Sequence, residues 1–206
     1  MRMLHWVVVE QNNKQYLLEM PHRLYYEFSV RSCIKSQELM GDIKRVQAEN
    51  KGNHSGELEA LLYEQRLSMI NVPIYAALSL EAYINYYASR YSMPFQKDID
   101  RLSTVKKWNI YSNWKTKKTI DKDALDKIKE IFDLRDQFVH SKPELVEHGT
   151  QEPPKGKSVQ ARIEVIDKSK LIFDLNCIYE AIFKIDSDEG DDHKKAPWLY
   201  ELRKKS

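Results

Sequence analysis

What the chain lacks narrows its chemistry first. Its 206 residues include two cysteines, Cys33 and Cys177. They stand far apart and match no metal or redox spacing, so two free thiols in a reduced, cytoplasmic protein are expected. No H-E-x-x-H, paired C-x-x-C, G-x-G-x-x-G, P-loop or G-x-S-x-G is present, so metalloprotease, zinc-finger, dinucleotide, ATPase and hydrolase-elbow readings have no motif behind them. His5, His22, His54, His148 and His193 are scattered, and neither a metal nor a cofactor is expected. A dominant charge is also missing: Lys and Arg outnumber Asp and Glu by only 33 to 31. A nucleic-acid partner must therefore be argued from local patches. The opening MRMLHWVVVE is too soon interrupted for a signal peptide or a membrane span, and no other run suggests one.

What remains is a chain with 42% apolar residues, enough for a proper core and one domain over 1–206. LHWVVVE and QYLLEM, either side of Asn12-Asn13, predict a β-hairpin within residues 1–20. Helix periodicity over 22–186 predicts a bundle of four to five helices and a mainly α fold. A first long helix runs from His22 to Ala48, and ENKGNHSG breaks it. A central helix follows from Glu57 to Tyr91, where Pro73 marks a kink or a fresh start capped by Asn71. Its apolar arc runs through Ile70, Ile74, Ala77, Leu78, Ile84 and Ala88, with Glu81 and Asn85 on the same arc. A Pro/Gly-rich insertion loop occupies 144–166, where SVQARIEV alternates like a strand but leaves helix open. Ser169 to Ile185 forms the last helix, and 187–206 reads as a mobile charged tail.

One segment reads as chemistry. Ile128 to Pro143 predicts a helix with an apolar stripe through Ile128, Ile131, Phe132, Leu134, Phe138 and Val139, ending near Lys142 ahead of the proline. At about 100° per residue Arg135 falls inside that stripe, where a permanent charge needs a carboxylate, a phosphate or a second polypeptide. Helical phase nominates Glu81 or Asn85 as its partner. His140 falls in the last turn, where the helix carbonyls and Asp136 favour an imidazole that exchanges protons near neutral pH. Arg135 and His140 point about 140° apart on a straight helix, so a site using both needs the reach of the arginine, a loosened last turn or two copies of the helix. Upstream, Arg101 to Ile120 holds six basic residues and no acid, with Trp108, Tyr111 and Trp114 interleaved. Cations for phosphates and rings for unstacked bases make Lys106, Lys107, Trp108, Lys115, Lys117 and Lys118 candidates for binding single-stranded RNA. The plain alternatives are a salt-bridged Arg135, a helix-capping His140, and core tryptophans beneath a solvated lysine face.

Arg135-Asp136-x-x-x-His140 on a late helix resembles the R-(N/D/H)-x-x-x-H signature of the HEPN superfamily. LSLEAYINYYA at Leu78 to Ala88 is similar to the earlier core helix of bacterial members, and VKKW at Val105 to Trp108 extends the likeness, which covers about Leu67 to Pro143. The resemblance implies a HEPN-like helical bundle, homodimeric, acting as a metal-independent endoribonuclease in toxin or phage-defence systems. An antitoxin or nucleotidyltransferase can be its partner. It implies a catalytic Arg135 and His140, with Asp136 orienting the imidazole or a helix contact, and Glu81 and Asn85 in support. The alternative, from a different class, is a non-catalytic HEPN-like module that works through protein contacts.

Overall fold

The computed structural model describes residues 6–11, 14–50, 55–140, 163, 166–195 and 198–199. The protein is mainly α. Trp6–Gln11 (β1) and Lys14–Glu19 (β2) pair antiparallel, Trp6 opposite Glu19 and Gln11 opposite Lys14. Seven helices are present among the described residues: α1 (Pro21–Glu49), α2 (Gly56–Arg90), α3 (Gln96–Ile99), α4 (Thr104–Thr116), α5 (Lys122–Val139), α6 (Lys168–Ile185) and α7 (Ser187–Lys195). The four to five expected correspond to the five of thirteen residues or more; α3 and α7 are additional.

Local chemistry sets the helix ends. Pro21 sits in the first turn of α1, where its missing N–H costs nothing. Ser55 caps α2 by accepting from the Leu58 N–H at 3.2 Å, with Glu57 and Glu59 beside it on the positive end of the helix dipole. Asp121 and Asp167 do the same for α5 and α6. Pro73 does not restart α2: the helix runs through it, so Asn71 caps nothing. Ser29 of α1 donates to the Val72 carbonyl at 2.9 Å, tying the two long helices together beside the proline.

The core lies where α2 meets α1, α4, α5 and α6. Tyr26 and Val30 from α1, Ala76, Leu80, Tyr83 and Tyr87 from α2, Trp108 and Tyr111 from α4, Ile128 and Ile131 from α5, and Leu175, Tyr179 and Ile182 from α6 are all buried. Half of the expected arc, Ala77, Ile84 and Ala88, is buried on α2 alongside the tyrosines, whereas Ile70, Ile74 and Leu78 are only half-buried, and so are Glu81 and Asn85 beside them. Tyr26, Tyr83, Tyr87 and Tyr179 each find a polar partner for the hydroxyl, Tyr179 with Ser79 at 2.6 Å. α2 is long and apolar enough to cross a membrane by length and composition, contrary to the expectation that no run approaches it. Half of its most apolar window is buried inside the bundle.

One further expectation is corrected, and one left open is narrowed. Ser187–Lys195 is helix, not mobile tail. Asp186 caps it through the Asp188 N–H at 3.0 Å, Glu189 is buried, and Gly190 packs where a Cβ would stand 2.7 Å from the Phe183 carbonyl oxygen. Within 158–165, Ile163 is helical, and the described sheet holds only two strands. Ile163 and Ile166 pack on Met69, Ile70, Leu134 and Phe138, an anchoring that α2 and α5 provide. Most of the insertion loop, Pro143 and residues 200–206 lie outside the described residues. Cys33 and Cys177 are free thiols, the first buried.

Candidate functional site

α5 ends at Val139, and His140 is its C-cap residue, its backbone N–H donating to the Asp136 carbonyl at 3.0 Å. The His140 side chain is exposed. Arg135 is half-buried on the flank of the stripe, with its guanidinium carbon 5.1 Å from the centroid of the Phe132 ring. Its Nε lies 2.9 Å from Asp136 Oδ1, yet that shielded N–H is not aimed at the oxygen and forms no hydrogen bond. The pair is therefore an ion contact between chain neighbours, with donor capacity left over.

The ion pair expected between Arg135 and Glu81 does not form. Both residues instead line one cleft of about 590 Å³ between α2, the start of α4 and α5. Leu102, Ser103, Thr104, Val105 and Lys106 make one wall, and Lys129, Phe132, Asp133, Arg135 and Asp136 make the other. Lys129 is paired with Asp133 at 2.7 Å one turn along α5. Asn85 opens on a neighbouring groove of about 420 Å³ with Pro21, Tyr25, Leu78 and Tyr86, which Glu81 also touches. His140 lines neither cavity. Within one chain, then, Arg135, Asp136 and Glu81 share a cleft, while Asn85 and His140 do not. Asp136 meets Arg135 through its carboxylate and His140 through its carbonyl, so its carboxylate orients the guanidinium and not the imidazole.

The basic aromatic stretch divides in two. Trp108 is fully buried, stacked on Tyr83 at 5.3 Å, and donates its indole N–H to the Leu80 carbonyl, so it cannot stack a base. Lys107 is 4% exposed and paired with Asp100 at 3.1 Å. Lys115 pairs with Asp188 at 2.8 Å and sits over the Tyr91 ring, and Lys117 donates to the Trp114 carbonyl. Trp108 and Lys107 point inward because a helix in the middle of a bundle turns every third or fourth residue onto the core. Lys106, Lys117 and Lys118 are exposed, and of these only Lys106 lines the cleft.

Sequence reasoning missed a second polar cluster at the far end of α2. Arg90 reaches Glu189 at 2.9 Å and Asp192 at 2.5 Å, Tyr83 and Tyr91 donate to Glu189, and Tyr87 donates to Asp186. Burial pushes the Glu189 carboxyl up, against the pull of Arg90 and the two tyrosine hydrogen bonds. Next to it, His22 and His193, scattered in sequence, both meet Trp198. Burial and then Arg23 hold each imidazole below its ordinary range, far below for His22. The run YINYYASRY, with ring and charge at helical spacing, carried the only signal for this network.

No group of three or more His, Cys, Asp or Glu side chains among the described residues could hold a metal ion. Comparison with protein-family models, with curated proteins and with solved structures gives no match.

Proposed function

We propose that the protein is a metal-independent RNA endonuclease of HEPN type, working as a homodimer that brings two Arg135/His140 helix ends together around one RNA phosphate. The observation that carries the reading is Arg135 itself: a guanidinium held at the wall of an open cleft, with a shielded N–H that no protein group bonds. Its family likeness and the exposed His140 at the end of the same helix support it. So does Val139, half exposed beside His140, an apolar residue suited to a contact between helix ends.

In this scheme the RNA 2′-hydroxyl attacks the adjacent phosphorus, and the 5′-oxygen of the next nucleotide leaves, giving a 2′,3′-cyclic phosphate and a 5′-hydroxyl. One His140 takes the 2′ proton as general base and another returns a proton to the leaving oxygen. Arg135 stabilises the charge that develops on the non-bridging oxygens. Asp136 keeps the guanidinium in place. The second reading, a non-catalytic binding module, draws on one observation: in a single chain His140 does not line the cleft of Arg135.

The test incubates the purified protein in EDTA with labelled single-stranded RNA and with total tRNA, beside His140→Ala and Arg135→Ala. Cleavage to cyclic-phosphate ends by the wild type, lost in both folded variants, is the expected result. No cleavage, or equal cleavage by all three, overturns the nuclease and leaves the binding module.

A further inference from the structure

We propose that the outer face of α1 and α2 packs on the same face of a second copy of this chain, the two α2 helices running antiparallel about a twofold axis at Leu78. This pairing goes beyond the nuclease reading and does not depend on it.

A helix on the surface of a bundle turns charged residues outward. α2 does not: from Leu67 to Ser89 its one charged residue is Glu81. Its outward stripe begins at Ser68 and steps by three and four residues in strict alternation to Ser89, with every member half-buried. Sustained over three heptads, that spacing is the seam along which two helices pack. The stripe also reads alike from both ends. Leu78 is its centre, Asn71 and Asn85 stand seven residues to either side, and Ser68 and Ser89 close it. Antiparallel pairing sets Leu78 on Leu78 and Asn71 on Asn85, whose amides both donate and accept. It also sets the ring of Tyr75 over the methyl of Ala82. A stripe that complements its own reverse fits a second copy, because a twofold interface presents the same patch from both sides.

α1 extends the face. The Phe28 ring meets Tyr75 at 5.3 Å, and Pro21 and Tyr25 lie alongside Leu78 and Ala82. Leu24, Phe28 and Leu67 are exposed large apolar side chains. The stripe lines two grooves end to end. One, of about 290 Å³, carries Arg31 and Lys35; the other, of about 420 Å³, carries Glu81, which has no ion pair among the described residues. The twofold axis lays the basic groove of one copy on the acidic groove of the other, whereas parallel pairing would set like on like. Charge matching of this kind fixes partner and register more than strength. Ser68 to Ser89 spans about 32 Å, and two helices side by side are about 20 Å wide, so the pair buries roughly 1,200 Å², the lower end of specific interfaces.

Phe138 packs with Met69 and Ile70, about two turns of α2 from Leu78, so the pairing carries the two α5 ends to opposite sides of its axis. The helix-end contact of the nuclease reading is therefore a second interface, and both together close a tetramer.

The experiment is sedimentation velocity of the full-length protein at micromolar concentration, beside Ala82→Lys, Tyr75→Glu and the double variant, each checked for folding by circular dichroism. Wild type is expected at two chains, or at four where the α5 ends also meet. Either single variant drives a charge into the apolar seam and is expected to halve that mass. The double variant is expected to restore it, because antiparallel pairing sets the new ammonium of each copy beside the new carboxylate of the other. Within one chain the two positions stand about 10 Å apart along the helix and do not meet. A monomeric wild type, single variants at the wild-type mass, or a double variant that stays at half mass overturns the pairing. RNA cleavage by a protein whose mass Ala82→Lys leaves unchanged sinks the α2 pairing and spares the nuclease, whereas a halved mass in a protein that cleaves no RNA does the reverse.

Discussion

α2 supplies both polar regions of the molecule, and they are finished differently. At its carboxyl end Arg90, Tyr83, Tyr87 and Tyr91 meet Glu189, Asp186 and Asp192 in a closed network, in which each buried carboxylate accepts from at least one donor. Two turns earlier Glu81 faces an open cleft in which Arg135 keeps an unbonded N–H. Satisfied groups in a closed site contribute to the fold, because removing one strands the others. Unsatisfied groups in an open site contribute little to stability and are free to take a ligand. The comparison marks the first cluster as part of the fold and the second as a cleft open to a ligand, and mutation can break it.

The largest effect is expected at Arg90. Its side chain is 19% exposed and Glu189 6%, so Arg90→Ala leaves a buried carboxylate without its cation. The cost should be about 3–5 kcal/mol in urea denaturation. A loss below about 1 kcal/mol would show that α7 is not held by this network. Gly190→Ala tests the same docking from the backbone side. The new Cβ would stand 2.7 Å from the Phe183 carbonyl oxygen, which cannot rotate away, so α7 must move. About 1–3 kcal/mol is expected, and a neutral substitution would mean that α7 already slides on α6.

How much of this was legible in the sequence follows from the same contrast. The cap expected at Asn71 is no cap because α2 runs through Pro73, whereas the 3.6-residue stripe of α5 was readable, because helix periodicity is local. Arg135 stood out for the same reason, as a charge inside a stripe. The Arg90–Glu189 pair joins residues 99 positions apart, and no local pattern links them. Acidity of 187–192 suggested a solvated tail for want of that partner. Trp108 and Lys107 went astray for a related reason: composition says which side chains could bind RNA, but only packing says which of them face out.

A smaller effect separates the two regions by pH. His22 is buried against Tyr83, Tyr86 and Trp198 beside Arg23, and its imidazole stays neutral in the fold. The unfolded chain binds a proton near pH 6.5 that the folded chain refuses, so stability is lost as pH falls through and below that value. Glu189, whose carboxyl is raised, acts in the opposite sense over the lower part of the range. His22→Phe isolates the histidine: the slope of unfolding free energy between about pH 5 and 7 should flatten relative to wild type. An unchanged slope would mean that His22 titrates normally and is not sealed in.

The smallest effect belongs to Glu81, where sequence phase alone would have predicted the loss of a buried ion pair. Its carboxylate has no ion-pair partner among the described residues and faces the cleft. Glu81→Ala should therefore change the urea midpoint by no more than about 0.5 kcal/mol, as substitutions away from packed or paired groups do. Arg135 keeps its contact with Asp136 either way, so no buried charge is stranded. A cost of several kcal/mol would show that the cleft closes in solution and brings Glu81 onto Arg135. The cleft would then have an open and a closed state, and the unbonded Arg135 N–H would be the mark of the open one.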